Sequence, residues 1–267
     1  TVVTSFPHYP NKHLYKNYYY LKDSFVKKNG IKIIRLPVTP RIGKNLFFLS
    51  VNYLSYVFLS IFLLPYLLFL SFDRIFIFQT SPITIALTPI ILSKLKKTKT
   101  TMWILDLWPE TLSSFDFPMK KIVIKFFDFF VKFIYRNCEK IFISSKGFKE
   151  SLKIRNFREN DIIFLPQWAD REQSDETIDN LKINFPPKNS FIITFAGNIG
   201  NAQDIESIGE AIKLCKYEKK IHWLFLGDGS KKEYLVSLKK NETLDNLHLL
   251  GAFQKKYMNS FFKRSSC

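Results

Sequence analysis

Short apolar runs of strand length alternate with longer amphipathic runs of helical spacing through almost the whole chain. The strand-like runs are rich in β-branched and aromatic residues, which favour extended structure. Alternation of this kind is typical of parallel sheets with crossover helices, so we predict an α/β fold. The first predicted strand ends at residue 5, and the others span 31–36, 74–78, 101–105, 140–144, 162–165, 191–196, 221–226 and 246–250.

A polar segment separates two predicted α/β domains. Residues 171–188 are acidic in their first part and end in Pro186-Pro187, a composition typical of a linker. The first residues match the end of a strand and the last ones stop inside a helix, so both domains are expected to be incomplete. The predicted organisation is a first domain over 1–170, a linker over 171–190 and a second domain over 191–267.

Two local patterns support helices in the second domain. The spacing Ser230-x-x-Glu233 predicts a capping box, in which each side chain satisfies a free N–H of the first turn. The helix predicted over 204–216 has one apolar face, made of Ile205, Ile208, Ile212 and Cys215.

A long apolar segment covers residues 45–72 and contains no charged residue. Its length would suffice to span a bilayer, but Pro65 interrupts it and strands of one predicted sheet flank it. A spanning helix would put those strands on opposite sides of the membrane. We therefore predict a buried or half-inserted helix. The polar residues that dilute the segment are Ser50, Asn52, Ser55 and Ser60.

A second apolar segment, residues 119–137, carries a narrow basic stripe at helical spacing. The rest of it is aliphatic and aromatic, with Phe126 and Phe130 among many phenylalanines. This pattern predicts a helix lying in the plane of a membrane, with its rings in the acyl boundary and its cations at lipid phosphates. The alternative is a core helix with one solvated edge. The stripe consists of Lys121, Lys125, Lys132 and Arg136, with Asp128 in the same row.

The chain has a net charge of +17, and most of it lies in the first predicted domain, with +14 over 1–170 and +3 over 171–267. Such asymmetry indicates an anionic partner, although plain solubility charge is the alternative. Nucleic acid is the least favoured partner, because the aromatic residues lie on helix faces and do not interleave with basic residues on strands. The three Cys and four His show no disulfide or zinc spacing, which favours a reduced, cytosolic compartment.

Two glycine-containing turns follow predicted strands of the second domain. Gly197-Asn198-Ile199-Gly200 stands between a strand and a helix, where glycines let the backbone approach a diphosphate at a helix N-terminus. Gly227-Asp228-Gly229 closes the next strand at the same predicted sheet edge. Each motif alone is equally compatible with an ordinary tight turn.

Two polar motifs follow strands of the first domain. Asp106-Leu107-Trp108-Pro109-Glu110 places two carboxylates and an indole at a sheet edge, where they could orient a sugar or act on a proton. The alternative is a helix start with acidic residues in its first turn. Gln167 and Trp168 lie at the predicted hinge, as ligand contacts or as an interdomain plug.

Taken in order, D-L-W-P-E, S-S-K-G-F, L-P-Q-W-A-D, F-A-G-N-I-G-N-A-Q and G-D-G resemble family 4 of the retaining glycosyltransferases. The branch of O-antigen fucosaminyltransferase-like enzymes is the most similar. The resemblance implies the GT-B fold, with two Rossmann-like domains facing a cleft, and metal-independent transfer that needs no cofactor. It places Asp106 and Glu110 at the acceptor side as catalytic residues. The implied donor-binding residues are Gly197, Asn198, Ile199, Gly200, Gln203, Gly227, Asp228 and Gly229.

The resemblance further implies a nucleotide-sugar donor and an undecaprenyl-type lipid-linked acceptor, used in O-antigen, capsule or exopolysaccharide synthesis. The resemblance also implies that the protein binds an anionic membrane surface, the inner face of the plasma membrane. Two departures matter. The stretch 198–203 lacks the basic pair that many family members carry there, and the family's E-x7-E segment and first glycine loop would lie outside this chain. The chain alone is therefore expected to be inactive.

Two other functions remain compatible with the sequence. One is a sugar-nucleotide epimerase with the same fold, which the basic, Phe-rich helix disfavours because such enzymes are typically soluble. The other is a non-catalytic membrane-surface module with a degenerate nucleotide-sugar site, which the missing basic pair favours.

Overall fold

The computed structural model describes residues 1–7, 18–40, 46–114, 117–168, 176–178, 181, 183–187 and 189–267. These residues form two compact units, Thr1–Gln167 and Trp168–Cys267. Nine of the twenty residues of the predicted linker 171–190 lie outside the described residues, so its bounds stay a prediction.

The first unit contains two sheets. One has the order β1-β3-β2, with β1 parallel and β2 antiparallel to β3, and the other is a wholly parallel sheet of order β4-β5-β6-β7. In chain order the elements are β1 (Val2–Ser5), α1 (Tyr20–Asp23), β2 (Phe25–Lys28), β3 (Ile31–Leu36), α2 (Leu46–Phe62), α3 (Leu64–Phe69), β4 (Arg74–Gln79), α4 (Leu87–Lys96), β5 (Lys99–Ile104), α5 (Lys120–Arg136), β6 (Lys140–Ile143), α6 (Phe148–Ile154) and β7 (Ile162–Phe164).

The four-stranded sheet buries one face under helices α4, α5 and α6. Met102 and Ile104 of β5 are fully buried on this face, as are Ile90 of α4, Ile134 of α5 and Leu152 of α6. Successive residues of a strand point to opposite faces of the sheet, so the residues on either side of Met102 and Ile104 belong to the other face. In β4 the burial accordingly alternates, with Ile77 buried and Phe76 and Phe78 more than half exposed, although residues 75–78 are apolar throughout.

The second unit has a three-stranded parallel sheet of order β10-β9-β8. Ile205, Ile212 and Leu235 form part of one buried cluster, and Leu224 packs with Phe261 in another. Apolar residues from helices and loops therefore pack into two separate cores. The elements are β8 (Phe191–Ala196), α7 (Ile205–Leu214), β9 (Ile221–Leu226), α8 (Lys232–Asn241), β10 (Leu247–Gly251) and α9 (Met258–Lys263).

The prediction of an α/β fold with parallel sheets is confirmed, and the predicted strands agree with the observed ones to within two residues. The predicted capping box is wrong. Ser230 lies before the N-cap residue Lys231. Its Oγ donates a hydrogen bond to Asn201 Oδ1, at 3.4 Å, and not to the first turn of α8. The described part of the apolar segment, residues 46–72, contains not one helix but two, α2 and α3, which separate at Leu63 just before Pro65. Of the helices in the described segments, none combines the length and apolarity that a bilayer crossing needs.

Candidate functional site

The two glycine motifs of the second unit meet at one sheet edge. Gly197 follows the last residue of β8 and Gly227 follows the last residue of β9, and these strands are parallel neighbours. Gly197 N donates a hydrogen bond to Leu226 O at 2.9 Å, and Ile199 N donates to Asp228 O at 2.9 Å. The carboxyl edge of an open parallel sheet is where such folds bind ligands. We refer to residues 197–203 and 227–232 together as the glycine-loop site.

Glycine is required where the two loops touch. Gly227 has φ +153°, and a Cβ there would overlap the carbonyl oxygen of Gly197. A Cβ at Gly229 would likewise overlap the carbonyl oxygen of Ile199. Beside Gly197 itself, which has φ +154°, a Cβ would meet no atom within 4 Å. The loops thus pack backbone against backbone and leave open space on the outer side of Gly197.

Polar side chains of the site mostly bind one another within and between the loops. Asn198 Nδ2 donates to Gln203 Oε1 at 3.4 Å, and Asp228 Oδ1 accepts from the N–H of Gly229 at 2.8 Å. The Ser230–Asn201 hydrogen bond adds a side-chain bridge between the loops. All the predicted donor-binding residues are therefore brought together, although they are drawn from two separate stretches of sequence.

Two lysines of the site were missed by sequence reasoning, which noted only that 198–203 has no basic residue. Lys231 N donates to Ile199 O at 2.9 Å, so its backbone is tied to the first loop, and its ammonium pairs with Glu206. Lys232 Nζ lies 3.6 Å from Asp228 Oδ2. Their position directly after the second glycine motif is the signal that could have revealed them.

In the first unit, Asp106 follows β5 and Glu110 begins a 3₁₀ turn, Glu110–Ser114. Glu110 Oε1 accepts a hydrogen bond from Arg155 Nη1 at 2.8 Å and another from Ser151 Oγ at 2.7 Å. Arg155 Nε also donates to Asp128 Oδ1 at 2.8 Å. Asp106 instead lines a cavity of the first unit together with Thr80 and Ser81. The two predicted catalytic carboxylates therefore have different surroundings, and Glu110 is part of an ion-pair network.

The pKa values of this network follow from its contacts. Burial disfavours the charged guanidinium of Arg155, but hydrogen bonds and charge from Glu110 and Asp128 outweigh it and raise the pKa. Partial burial acts to raise the pKa of Asp128, yet hydrogen bonds from Lys132 and Arg155 prevail and hold it below its ordinary value. Both partners are thus charged at neutral pH.

The predicted cleft and hinge residues differ in exposure. Trp108 is 4 % exposed, its Nε1 donates to Ser81 Oγ at 3.1 Å, and its ring lies 5.5 Å from that of Phe127. The indole is thus part of the core of the first unit. Gln167 is the last residue of that unit, and Trp168, 71 % exposed, is the first residue of the second unit.

Helix α5 confirms the predicted amphipathic pattern but divides its apolar residues into two arcs. Val131, Ile134 and Tyr135 are buried against the sheet. A second arc faces outward and contains Ile122, Phe126, Phe129 and Phe133, with Phe130 partly buried beside it. Along the flank of that outer arc lie the exposed residues Lys121, Lys125 and Arg136, and Lys132, which pairs with Asp128 at 2.8 Å.

Within the described residues, no group of three or more His, Cys, Asp or Glu side chains is arranged to hold a metal ion. The chain was also compared with known proteins. No protein-family model matches it, and no curated protein matches it.

Solved structures do match the fold. The E. coli trehalose-6-phosphate protein with bound UDP-2-fluoro glucose has a TM-score of 0.56 at 13% identity, over 90% of this chain and 66% of that one. WaaG, a glycosyltransferase involved in lipopolysaccharide biosynthesis, has a TM-score of 0.54 at 11% identity, over 85% and 59%. The pneumococcal O-GlcNAc transferase GtfA, solved with UDP and GlcNAc, has a TM-score of 0.50 at 11% identity. The match covers 90% of this chain and 48% of that one.

The chain spans between 33% and 66% of the length of these and other matched structures. Identities this low establish the fold and nothing finer. The chain's α/β architecture, with parallel-stranded sheets, matches that of solved GT-B glycosyltransferases.

Proposed function

We propose that the protein, in its full natural length, is a nucleotide-sugar-dependent glycosyltransferase of cell-envelope polysaccharide synthesis. It transfers a sugar to a lipid-linked acceptor, with retention of the anomeric configuration. The observation that carries this proposal is the backbone contact between Gly197 and Gly227 at the carboxyl edge of the second sheet. The GT-B fold supports it, since matched structures of that fold hold UDP or a UDP-sugar.

The glycine-loop site has the features that a donor diphosphate requires. The space beside Gly197 lets an anion approach the backbone closely, and helix α7 begins nearby at Ile205 with its N–H groups and positive dipole end. Lys231 and Lys232 supply the positive charge that the stretch 198–203 lacks. Charge on these lysines stabilises the leaving nucleoside diphosphate as the bond to the sugar breaks.

The acceptor chemistry falls to the first unit. During transfer the bond between the anomeric carbon and the diphosphate oxygen breaks, a bond to the acceptor hydroxyl oxygen forms, and the hydroxyl proton must leave. We assign reception of that proton, or orientation of the hydroxyl, to Asp106. Glu110 positions the same loop, because Arg155 and Ser151 hold its carboxylate. No metal or other cofactor is required in this scheme.

A membrane location fits the surface of α5. Ile122, Phe126 and Phe129 are each more than 60 % exposed on the outward arc, and basic residues flank them. Aromatic side chains next to cations are what a helix lying on anionic lipid needs. We propose that the first unit rests on the cytoplasmic face of the plasma membrane, where a lipid-linked acceptor is held.

The test uses the full-length protein, incubated with membranes and a panel of UDP-, GDP- and TDP-sugars, with release of free nucleoside diphosphate as the readout. We expect one donor to be consumed in a manner that depends on lipid acceptor. The variant Gly197→Trp, which fills the open space of the glycine-loop site, should abolish release.

A matched pair of lysine variants sharpens this test. Lys231→Ala with Lys232→Ala should lower the rate by about tenfold or more, the equivalent of about 1.4 kcal/mol of lost transition-state stabilisation. Lys219→Ala with Lys220→Ala removes the same charge from exposed positions before β9, at the opposite edge, and should leave the rate unchanged. Equal effects of the two pairs, or no release with any donor, would overturn the proposed function.

A further inference from the structure

The outward side of helices α2 and α3 is a row of large apolar side chains, and residues 46–72 contain no charged residue. Backbone hydrogen bonds from Leu63 N to Leu59 O and from Leu67 N to Leu63 O, each of 3.1 Å, continue the helical bonding pattern across the break between the two helices. Exposed residues of both helices therefore fall on one side. We call this set the apolar ridge, which consists of Phe47, Leu54, Phe58, Ile61, Phe62, Leu68 and Phe69.

Polar side chains in the middle of α2 point the other way, into the first unit. Asn52 and Ser60 are buried, and Ser60 Oγ shares a hydrogen bond of 2.7 Å with Thr88 Oγ1 of α4. Phe58 and Phe62, by contrast, are 63 % and 68 % exposed. A helix on a water-exposed surface has its polar residues outside, whereas a surface in contact with lipid has them on the protein side. The arrangement of α2 is therefore that of a lipid-facing helix.

The basic end of α4 borders the ridge on one flank. Lys96 Nζ donates a hydrogen bond to Leu68 O at 2.8 Å, at the end of α3. Lys94 Nζ lies 4.7 Å from the centroid of the Phe133 ring, which belongs to the outward arc of α5. Leu95, between these two lysines, is exposed. The end of α4 therefore joins the apolar ridge to the α5 arc.

The β2–β3 hairpin places further lysines on the other flank. Phe25 of β2 is exposed, and its ring centroid lies 5.9 Å from that of Tyr66 in α3. Lys27 lies two residues further along the same face of the strand, directly opposite Lys32 of β3, and both lysines are exposed. Like charges that face each other in a sheet destabilise it, so this pair favours an anionic surface that neutralises it.

We propose that the apolar ridge is inserted into the acyl layer of one membrane leaflet, with the flanking lysines at the lipid phosphates. The ridge is a second element of the membrane location proposed above, formed by residues outside α5, and its insertion rests on that location. The side chains exposed between Leu54 and Phe62 are hydrocarbon only. A specific protein interface needs polar groups that fix its register, whereas lipid needs none, so an apolar row with cations on both flanks fits a bilayer.

The experiment measures binding of the full-length protein to vesicles by co-sedimentation at about 1 M NaCl, where attraction between exposed charges is screened. We expect the wild type to stay bound to phosphatidylglycerol and to phosphatidylcholine vesicles alike, because insertion of apolar side chains needs no anionic lipid. Phe58→Ser with Phe62→Ser should weaken this salt-resistant binding at least about tenfold. Lys121→Ala with Lys125→Ala, on α5, should leave it unchanged, because the charges it removes are already screened.

A second pair of variants locates the ridge within the membrane and keeps its exposed surface apolar. Phe62→Trp adds an indole to the ridge, and Leu214→Trp adds one at an exposed position of the second unit. With vesicles whose acyl chains are brominated, the emission added by Phe62→Trp should be lost by quenching, and that added by Leu214→Trp should remain. Leu214→Ser with Tyr217→Ser removes two exposed apolar side chains far from the ridge in sequence, and should bind vesicles like the wild type.

Three results would overturn the proposal. The first is salt-resistant binding that is absent from the wild type or equal in the wild type and the phenylalanine pair. The second is emission from Phe62→Trp that brominated lipid does not quench. The third is a dimer of the wild type in solution that Phe58→Ser with Phe62→Ser dissociates, since a second copy of the chain would then cover the ridge. None of these readouts involves a nucleotide sugar, so the ridge and the transferase activity stand or fall separately.

Discussion

Arg155 binds Glu110 and Asp128 at the same time, with Nη1 2.8 Å from Glu110 Oε1 and Nε 2.8 Å from Asp128 Oδ1. Arg155 is the residue after α6, Asp128 belongs to α5, and Glu110 follows β5. One side chain, only 7 % exposed, therefore ties two helices to the loop that carries the candidate catalytic carboxylates. The network is both a stabilising contact of the first unit and the support of that loop.

Replacing Arg155 should destabilise the first unit strongly. Arg155→Met removes the cation and leaves two carboxylates together. Because the side chains of Glu110 and Asp128 are 43 % and 27 % exposed, we expect a loss of about 1–3 kcal/mol, less than for a fully buried pair. Urea unfolding followed by far-UV circular dichroism measures the loss. Arg158→Met is the matched control, because Arg158 pairs with Asp161 on the surface, where such pairs contribute about 0–1 kcal/mol. Similar losses of unfolding free energy in both variants would show that the network contributes no more to stability than a surface ion pair.

The same network predicts an acid limit to stability. The pKa of Asp128 is lower in the folded protein than in the unfolded chain, so its contribution is present above about pH 4 and is lost as the pH falls through the folded value. Asp128→Asn should therefore be less stable than wild type at pH 7, and the gap should close below about pH 4. Unfolding curves at pH 7, 5 and 3 measure the gap, and a gap that is constant with pH contradicts the assignment.

Gly227 should tolerate no side chain. Gly227→Ala introduces a Cβ that overlaps the Gly197 carbonyl oxygen, at a φ that L residues rarely adopt, and should destabilise the second unit by about 2–5 kcal/mol. Gly147→Ala is the control, because a Cβ there meets only Ser145 Oγ, at 3.7 Å. Thermal unfolding of both variants measures the difference. If Gly227→Ala is as stable as Gly147→Ala, the backbone contact between the two loops is not as described.

Much of the fold could be predicted from sequence because its parallel strands are continuous apolar runs bounded by charged or polar residues or by glycine. Strands β8 and β9 were predicted at their observed bounds for this reason. Strand β2, Phe25–Lys28, was not predicted, since it is short, mostly exposed and contains two lysines. Its pairing with β3 depends on a partner strand, which local periodicity does not reveal.

The site was predictable to a different depth in each unit. The positions of Gly197 and Gly227 could be predicted because a glycine directly after a strand is a local sequence signal for a turn. The burial of Trp108 and the engagement of Glu110 depend on Phe127 and Arg155, which lie 19 and 45 positions further along the chain. Contacts at that separation arise from packing, and one sequence carries no local sign of them.

His222 and His248 predict a second pH effect, in the second unit. Nδ1 of His222 lies 3.0 Å from Nε2 of His248 on the neighbouring strand. Burial, with smaller contributions from His222 and Lys239, lowers the pKa of His248 to about 4. The folded unit thus resists protonation that the unfolded chain accepts near pH 6.5, so stability should fall as the pH drops from 6.5 towards 4.

The histidine effect can be measured in two ways. The NMR titration of the His248 ring should show its midpoint near pH 4, well below that of a histidine in an unfolded peptide. His248→Gln should make the stability of the second unit less dependent on pH between 6.5 and 4 than in wild type. A ring that titrates near pH 6.5 contradicts both expectations.

The outward arc of α5 predicts salt-sensitive binding to anionic vesicles. Phe126→Ser with Phe129→Ser removes two rings that are 62 % and 71 % exposed, and should weaken vesicle binding by about tenfold or more. Lys121→Ala with Lys125→Ala should weaken it less at high salt than at low salt, because salt screens the attraction to lipid phosphates. Co-sedimentation with phosphatidylglycerol vesicles measures both effects. Leu214→Ser with Tyr217→Ser removes two apolar side chains from the second unit that are even more exposed, at 86 % each. Since those residues lie outside the proposed membrane surface, that control should bind vesicles like wild type, and a loss as large as that of the phenylalanine pair would show non-specific adsorption.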